Sequence, residues 1–178
     1  MGEIRYGHIR GGEAGFPAPM GASEVFYSKS GRFVINDTAG RMELADENDT
    51  YISGWVQEGQ PDDGIGGGGF TCSTTEGLTE MFMITDLDAV FRMPLAYDAS
   101  TYDRNYSSAL LGEVCDIVVV NKVQYANVSA SSKDNIRIVG GKAASAAWVD
   151  GAVDGLCLGD GYVDVQLIAS KRYTAGVE

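Results

Sequence analysis

Two groups of acidic side chains are the residues best suited to chemistry in this chain: Asp46, Glu47 and Asp49, and the more widely spread Asp150, Asp154, Asp160 and Asp164. Calcium takes roughly six to eight oxygen ligands, which Asp-rich turns supply. The spacing departs, however, from the D-x-[DN]-x-[DN]-G loop with its terminal Glu. Asp150-Gly151, Asp154-Gly155 and Asp160-Gly161 are also the dipeptides that two-residue hairpins use. Asp150, Asp154, Asp160 and Asp164 therefore stand as candidate calcium ligands, with hairpin turns as the preferred reading. No bound metal and no other cofactor is expected.

Other chemistry is sparse. His8 is the single histidine, which argues against a histidine-based triad or a multi-histidine metal site. Cys72, Cys115 and Cys157 form an odd set without C-x-x-C spacing. They read as buried free thiols rather than a disulfide framework or a zinc site. The glycine run 66–69 lacks the Lys-Ser/Thr of a phosphate-cradling loop, and Gly140-Gly141-Lys142-Ala143 lacks both the spacing and the hydroxyl. Carboxylates are plentiful, but no pair is singled out for acid–base work. The expectation is a protein that is not an enzyme.

The elements that must position these residues read as strands. Glycine is abundant, 24 of 178 residues, with only 4 prolines and no Gly-X-Y period. Spread through turns, that excess favours an all-β chain of one domain. The formal net charge of −12 repels phosphate backbones and anionic lipid surfaces, so neither nucleic acid nor membrane is an expected partner. A basic partner surface would suit it. The apolar run Ile117–Val120 is far too short to span a bilayer, and Met1 to His8 lack the apolar core of a signal peptide.

Along the chain, residues 1–22 keep no period and are rich in Gly and Pro, which predicts an extended arm held only by a partner. A single all-β domain spans 23–178, interrupted by a flexible Gly-rich loop (58–75) and a Tyr-rich loop (97–110). Glu24–Tyr27 and Arg32–Ile35 flank Ser30-Gly31, which suggests a hairpin. Met42 and Leu44 share one face of a strand, and Gly54 within Tyr51–Val56 suggests a bulge or a close backbone approach. Strands follow over 81–84 and 89–93. Val114–Val120 and Val123–Ala126 flank Asn121-Lys122. Ile136–Val139 precedes Gly140-Gly141, and Tyr162–Ala169 alternates as a half-buried strand. Trp55 and Trp148 read as core anchors.

Taken together, the stretches Leu111–Ile117, Val123–Val128, Ile136–Gly141 and Ile52–Gly59 resemble, in layout, the head decoration (cement) proteins of tailed bacteriophages. The likeness implies a small antiparallel β-barrel or β-sandwich with an extended N-terminal arm, and no catalytic residues to carry over. It implies a virion structural protein on the outer capsid surface, assembled in the host cytoplasm. Its partner would be the major capsid protein, with self-association into dimers or trimers at capsid symmetry axes. Candidate partner contacts are Ile4, Tyr6, His8 and Phe16 of the arm, and Tyr97, Tyr102 and Tyr106 of the Tyr-rich loop. The alternative is a receptor- or carbohydrate-binding β-sandwich module of a tail fibre or other adhesin.

Overall fold

The computed structural model describes residues 7–12, 14–27, 30–57, 69–96, 106–130, 132–143 and 161–172. Among them, helix is limited to two 3-10 turns, Ser108–Leu110 and Ala169–Lys171. The rest is strand and turn. A seven-stranded sheet runs, in spatial order, β1 (Gly7–Arg10), β9 (Val90–Met93), β14 (Tyr162–Leu167), β13 (Ile136–Lys142), β11 (Val114–Val120), β12 (Val123–Asn127) and β10 (Leu95–Ala96). A five-stranded sheet runs β2 (Gly15–Pro19), β8 (Glu80–Ile84), β6 (Gly54–Gln57), β4 (Phe33–Asn36) and β5 (Met42–Leu44). A ribbon of β3 (Val25–Phe26) and β7 (Phe70–Thr71) stands apart. Every pairing is antiparallel except β10 with β12. The fold is an all-β sandwich.

Side-chain alternation sets which face is buried. In β14, Val163, Val165 and Leu167 are buried while Tyr162, Asp164 and Gln166 are half-buried, the period of two expected of a strand with one covered face. The inner faces of the two sheets share a core. Trp55 stacks on Phe91 at 4.7 Å, and Phe33 meets both rings edge-on at 4.9 and 5.5 Å. Trp55 and Phe33 come from one sheet and Phe91 from the other, so this aromatic cluster joins the layers.

The five-stranded sheet buries its outer face too. Met20, directly after β2, bridges Met42 of β5, and the Gly21 N–H donates to the Met42 carbonyl at 2.9 Å. The sheet's two edges thus meet at one end. Ala18, Met20, Val34, Met42, Val56, Met81 and Met83 pack there, with Phe26 and Cys72 supplied by the β3–β7 ribbon and its continuation. The described residues therefore combine a sandwich with a partly closed, barrel-like half.

Residues 7–20 depart from the expected partner-held arm. β1 pairs with β9 and β2 with β8, and Ala18 and Met20 are fully buried. The two pairings form one ribbon bent across the corner of the sandwich. At the bend, a Cβ on Gly11 would lie 2.1 Å from the Asp88 carbonyl oxygen, and Gly11 sits at φ +94°. Glycine is required there by contact as well as by conformation. The glycines that make this segment look unstructured are what let it pack.

Four other expectations are resolved. Ser30-Gly31 is not a hairpin turn: β3 pairs with β7, and β4 pairs with β5 and β6. Gly140-Gly141 does not end a strand, because β13 runs through it with a register shift between Ile138 and Gly140. Asn121 and Lys122 do form the turn of the β11–β12 hairpin, both at positive φ (51° and 65°). Gly54 shows the close approach, since a Cβ there would meet the Ile84 carbonyl oxygen at 2.6 Å. Of the two loops, 58–68 and 97–105 lie outside the described residues, as does Trp148.

Candidate functional site

Beside the β4–β5 turn, a groove of about 320 Å³ opens between the end of β4 and the loop that joins β5 to β6. Asn36 lines one wall, and Asn48, Asp49, Thr50, Tyr51 and Ser53 line the other. Its size lies at the lower end of small-molecule sites. Tyr51 is 54% exposed, an uncovered aromatic ring on the rim. Ser53 is only 6% exposed. The Ser53 Oγ and Asn36 Oδ1 atoms are both closed to solvent and without a hydrogen-bond partner. A buried polar atom left so costs on the order of 1–3 kcal/mol, so this pair departs from the general rule of satisfied buried groups.

The loop that carries most of these residues is held from within and from behind. The Asp46 Oδ1 accepts the Asn48 N–H at 2.8 Å, and the Asp49 Oδ2 accepts the Asp46 N–H at 2.8 Å. Fully buried Asn135, just before β13, donates through Nδ2 to the carbonyls of Asp49 (3.2 Å) and Thr50 (3.4 Å). The Ile52 N–H donates to the Lys171 carbonyl at 2.8 Å. The second sheet thus fixes the groove's far wall. Burial pushes the Asp49 carboxyl above its ordinary value; the Asp46 N–H opposes this, while the Asp46 and Glu47 charges add to it. Asp49 is the one carboxyl among the groove's lining residues, with Asp46 and Glu47 beside it in the loop.

Among the described residues, Asp46, Asp49, Asp116 and Asp164 are engaged in bonds within the fold. Asp46 and Asp49 serve their own turn. Asp164, a calcium candidate in sequence, pairs with Arg92 directly across the β14–β9 register, at 2.7 Å to Nε and 3.0 Å to Nη2. The same guanidinium lies 3.7 Å over the Tyr162 ring. Asp150, Asp154 and Asp160 lie outside the described residues. Among the described residues, no three His, Cys, Asp or Glu side chains group as a metal site. Asp116, nearly fully buried, accepts from the Ser132 N–H and Oγ–H, the Lys133 N–H and the Asp134 N–H at 2.8–3.0 Å, pinning the turn before β13.

The proposed contact residues have mixed placements. Phe16, on edge strand β2, is 50% exposed. His8 is half-buried, its ring 5.8 Å from that of Phe91. Tyr106, expected at an exposed loop tip, instead packs over β13: a Cβ on Gly141 would lie 2.6 Å from its ring. That contact explains why β13 carries a glycine there. Ile4, Tyr6, Tyr97 and Tyr102 lie outside the described residues.

Cys72 and Cys115 are free and buried. Burial pushes the Cys72 thiol up to about 11 and Cys115 up to about 12, with the Glu24 charge adding to the first and those of Asp116 and Asp134 to the second. Neither is a nucleophile at neutral pH. Among the described residues, no helix is long and apolar enough to cross a membrane.

The groove escaped sequence reasoning because its walls come from separate elements and its signal is an unmet hydrogen bond, which no spacing encodes. Asp46, Glu47 and Asp49 were legible as a cluster, but for a cation rather than as part of a wall. No family model, no curated protein and no solved structure matches the chain.

Proposed function

We propose that this chain is a non-catalytic virion structural protein that decorates a bacteriophage capsid, clamping neighbouring major capsid proteins from the outer surface. The sequence stretches Leu111–Ile117, Val123–Val128, Ile136–Gly141 and Ile52–Gly59, which resemble that class in layout, support the reading. So does the β1–β2 ribbon. In β2, residues 14, 16, 18 and 20 face β8, as the Thr85 N–H to Ala14 and Met20 N–H to Thr79 bonds show. Pro17 and Pro19 therefore occupy the outward positions, where a further strand would need N–H donors. The edge is closed to strand addition yet exposes Phe16 and, nearby in the chain, Ile9.

An edge of that kind docks through side chains. This observation carries the reading: an apolar contact is offered while edge-to-edge aggregation is blocked. The charge of −12 suits a basic shell surface, and dimers or trimers at symmetry axes multiply modest contacts.

Co-sedimentation with undecorated phage heads tests the proposal. The full chain is expected to pellet with heads, and Phe16→Glu to pellet less while keeping its melting temperature. A full chain that stays in the supernatant, or a Phe16→Glu variant that binds equally, overturns it. The alternative, a carbohydrate-binding module, is favoured by one feature, the groove at Tyr51.

A further inference from the structure

We infer that the groove between Asn36 and the 48–53 loop is a binding site for a neutral sugar, a pyranose ring or the terminal unit of a polysaccharide. The inference rests on the carbohydrate-binding reading of the sandwich and does not require capsid attachment, which a chain of either kind could have or lack.

Three observations converge on this ligand. First, two of the lining residues, Asn36 and Ser53, each hold a partnerless atom closed to solvent, and the two are of complementary chemistry. Asn36 Oδ1 only accepts, whereas Ser53 Oγ both donates and accepts. Ligand hydroxyls can donate to the first and accept from the second once the two side chains rotate toward the groove. Water-excluded polar atoms without partners are retained at a cost to the fold, and a polyol relieves that cost.

Second, the rim offers Tyr51, more than half exposed and standing beside polar Asn48 and Thr50. An aromatic face matched with amide and hydroxyl groups suits a pyranose, which presents one apolar C–H face and an equatorial ring of hydroxyls. A purely apolar ligand would leave these two atoms of Asn36 and Ser53 unpaired.

Third, charge selects against other polar ligands. Asp46, Glu47 and Asp49 stand together in the loop, and the raised pKa of Asp49 reflects burial and its acidic neighbours. Phosphate, sulfate and acidic sugars are repelled. Among the described residues, Lys133 is the cation that acts on Asp49, one charge against three carboxyls. Asp46 and Asp49 are also engaged with backbone N–H groups of their own loop, which favours neutral hydroxyls as partners.

The test is a backbone-amide NMR titration of the full chain with methyl glycosides of glucose, galactose, mannose and N-acetylglucosamine, each to about 50 mM, a range that captures weak sugar sites. A glycan array of neutral polysaccharides runs in parallel. Shifts are expected at residues 35–36 and 48–53 with at least one probe, or array binding where the source is a polysaccharide chain. Tyr51→Ala is expected to weaken binding about tenfold or more and Tyr51→Phe to retain it. Ser53→Ala is expected to weaken binding about threefold or more with no fall in melting temperature, since it removes an unpaired hydroxyl. No binding in either format, shifts confined to other residues, or wild-type binding by Tyr51→Ala overturns the inference. Inorganic phosphate or an acidic sugar binding as tightly as the neutral probes overturns it as well.

Discussion

Gln124 and Phe33, 91 positions apart in the chain, exchange two hydrogen bonds: the Phe33 N–H donates to Gln124 Oε1 at 2.9 Å, and Gln124 Nε2 donates to the Phe33 carbonyl at 2.9 Å. The same Nε2 donates to the Ala45 carbonyl at 2.8 Å. A fully buried amide here stands in for a missing strand, tying β12 to the chain beside β4 and β5. The Ser30 hydroxyl completes the link, accepting the Gln124 N–H at 2.8 Å, and the Gly31 N–H donates to the Gln124 carbonyl at 2.9 Å.

Gln124→Ala is therefore predicted to be severe. It takes the Gln124 partner from the buried Phe33 N–H and from the Ala45 carbonyl, while the Phe33 carbonyl keeps the Ala45 N–H at 2.9 Å. At roughly 1–3 kcal/mol for each of the two, a total loss of about 2–5 kcal/mol is expected. Urea unfolding measures it. A loss below about 1 kcal/mol would mean the network contributes little.

Gly54→Ala is predicted to destabilise by about 1–3 kcal/mol, the range of overpacking in a tight site. The new methyl would lie 2.6 Å from the Ile84 carbonyl oxygen and 2.7 Å from Met83 Cγ. Backbone on one side leaves only the Met83 side chain free to yield. Gly40→Ala is the informative comparison. It sits at φ +82° with nothing within contact distance, so its cost is conformational alone and is expected to be smaller, about 1 kcal/mol. Equal costs would show that contact at Gly54 is relieved by repacking.

Stability is predicted to fall as pH rises through the window set by Glu24 and Asp49. Burial raises both carboxyls above their ordinary values of 4.5 and 3.8. A group whose folded pKa exceeds its unfolded one holds its proton more tightly when folded. Its ionisation on raising the pH then favours the unfolded chain. Glu24→Gln keeps an acceptor for the Leu44 N–H, which Glu24 Oε2 accepts at 3.3 Å. The variant should melt higher than wild type at pH 7 and show a flatter profile upward from pH 4.5. Thermal melts across that range decide the matter; an unchanged slope in Glu24→Gln counts against it.

Thiol labelling provides a fourth check. With Cys157, which lies outside the described residues, replaced by Ser, the remaining thiols are Cys72 and Cys115. Both are buried and pushed far above neutral pH. A chromogenic disulfide reagent at pH 7 is expected to label neither until the protein is unfolded, when both react. Rapid native labelling of either thiol would show that its side of the core opens readily.

What could be read from the sequence follows the range of each interaction. The β11–β12 hairpin was legible because its turn, Asn121-Lys122, and both strands are contiguous, and β14 because one covered face imposes strict alternation. The N-terminal segment reads as a loose arm in sequence because its partners lie roughly 60 to 85 positions on and its backbone, not its side-chain pattern, makes the pairing. Ser30-Gly31 looks like turn chemistry, yet it answers to Gln124. The groove had no local signature at all. Asn36 and Ser53 are ordinary polar residues until the fold closes over them without supplying partners.

The bent ribbon at the corner of the sandwich also sets an order of events during synthesis. β1 and β2 leave the ribosome ahead of their partners β8 and β9, which emerge some 60 to 85 residues later. Until then Phe16 and Ala18 have no strand to pair with, and the glycines beside them keep the waiting segment pliant. Docking of the ribbon is a long-range closure of the kind that slows folding. The corner of the sandwich is complete only when two stretches of chain made far apart in time have met.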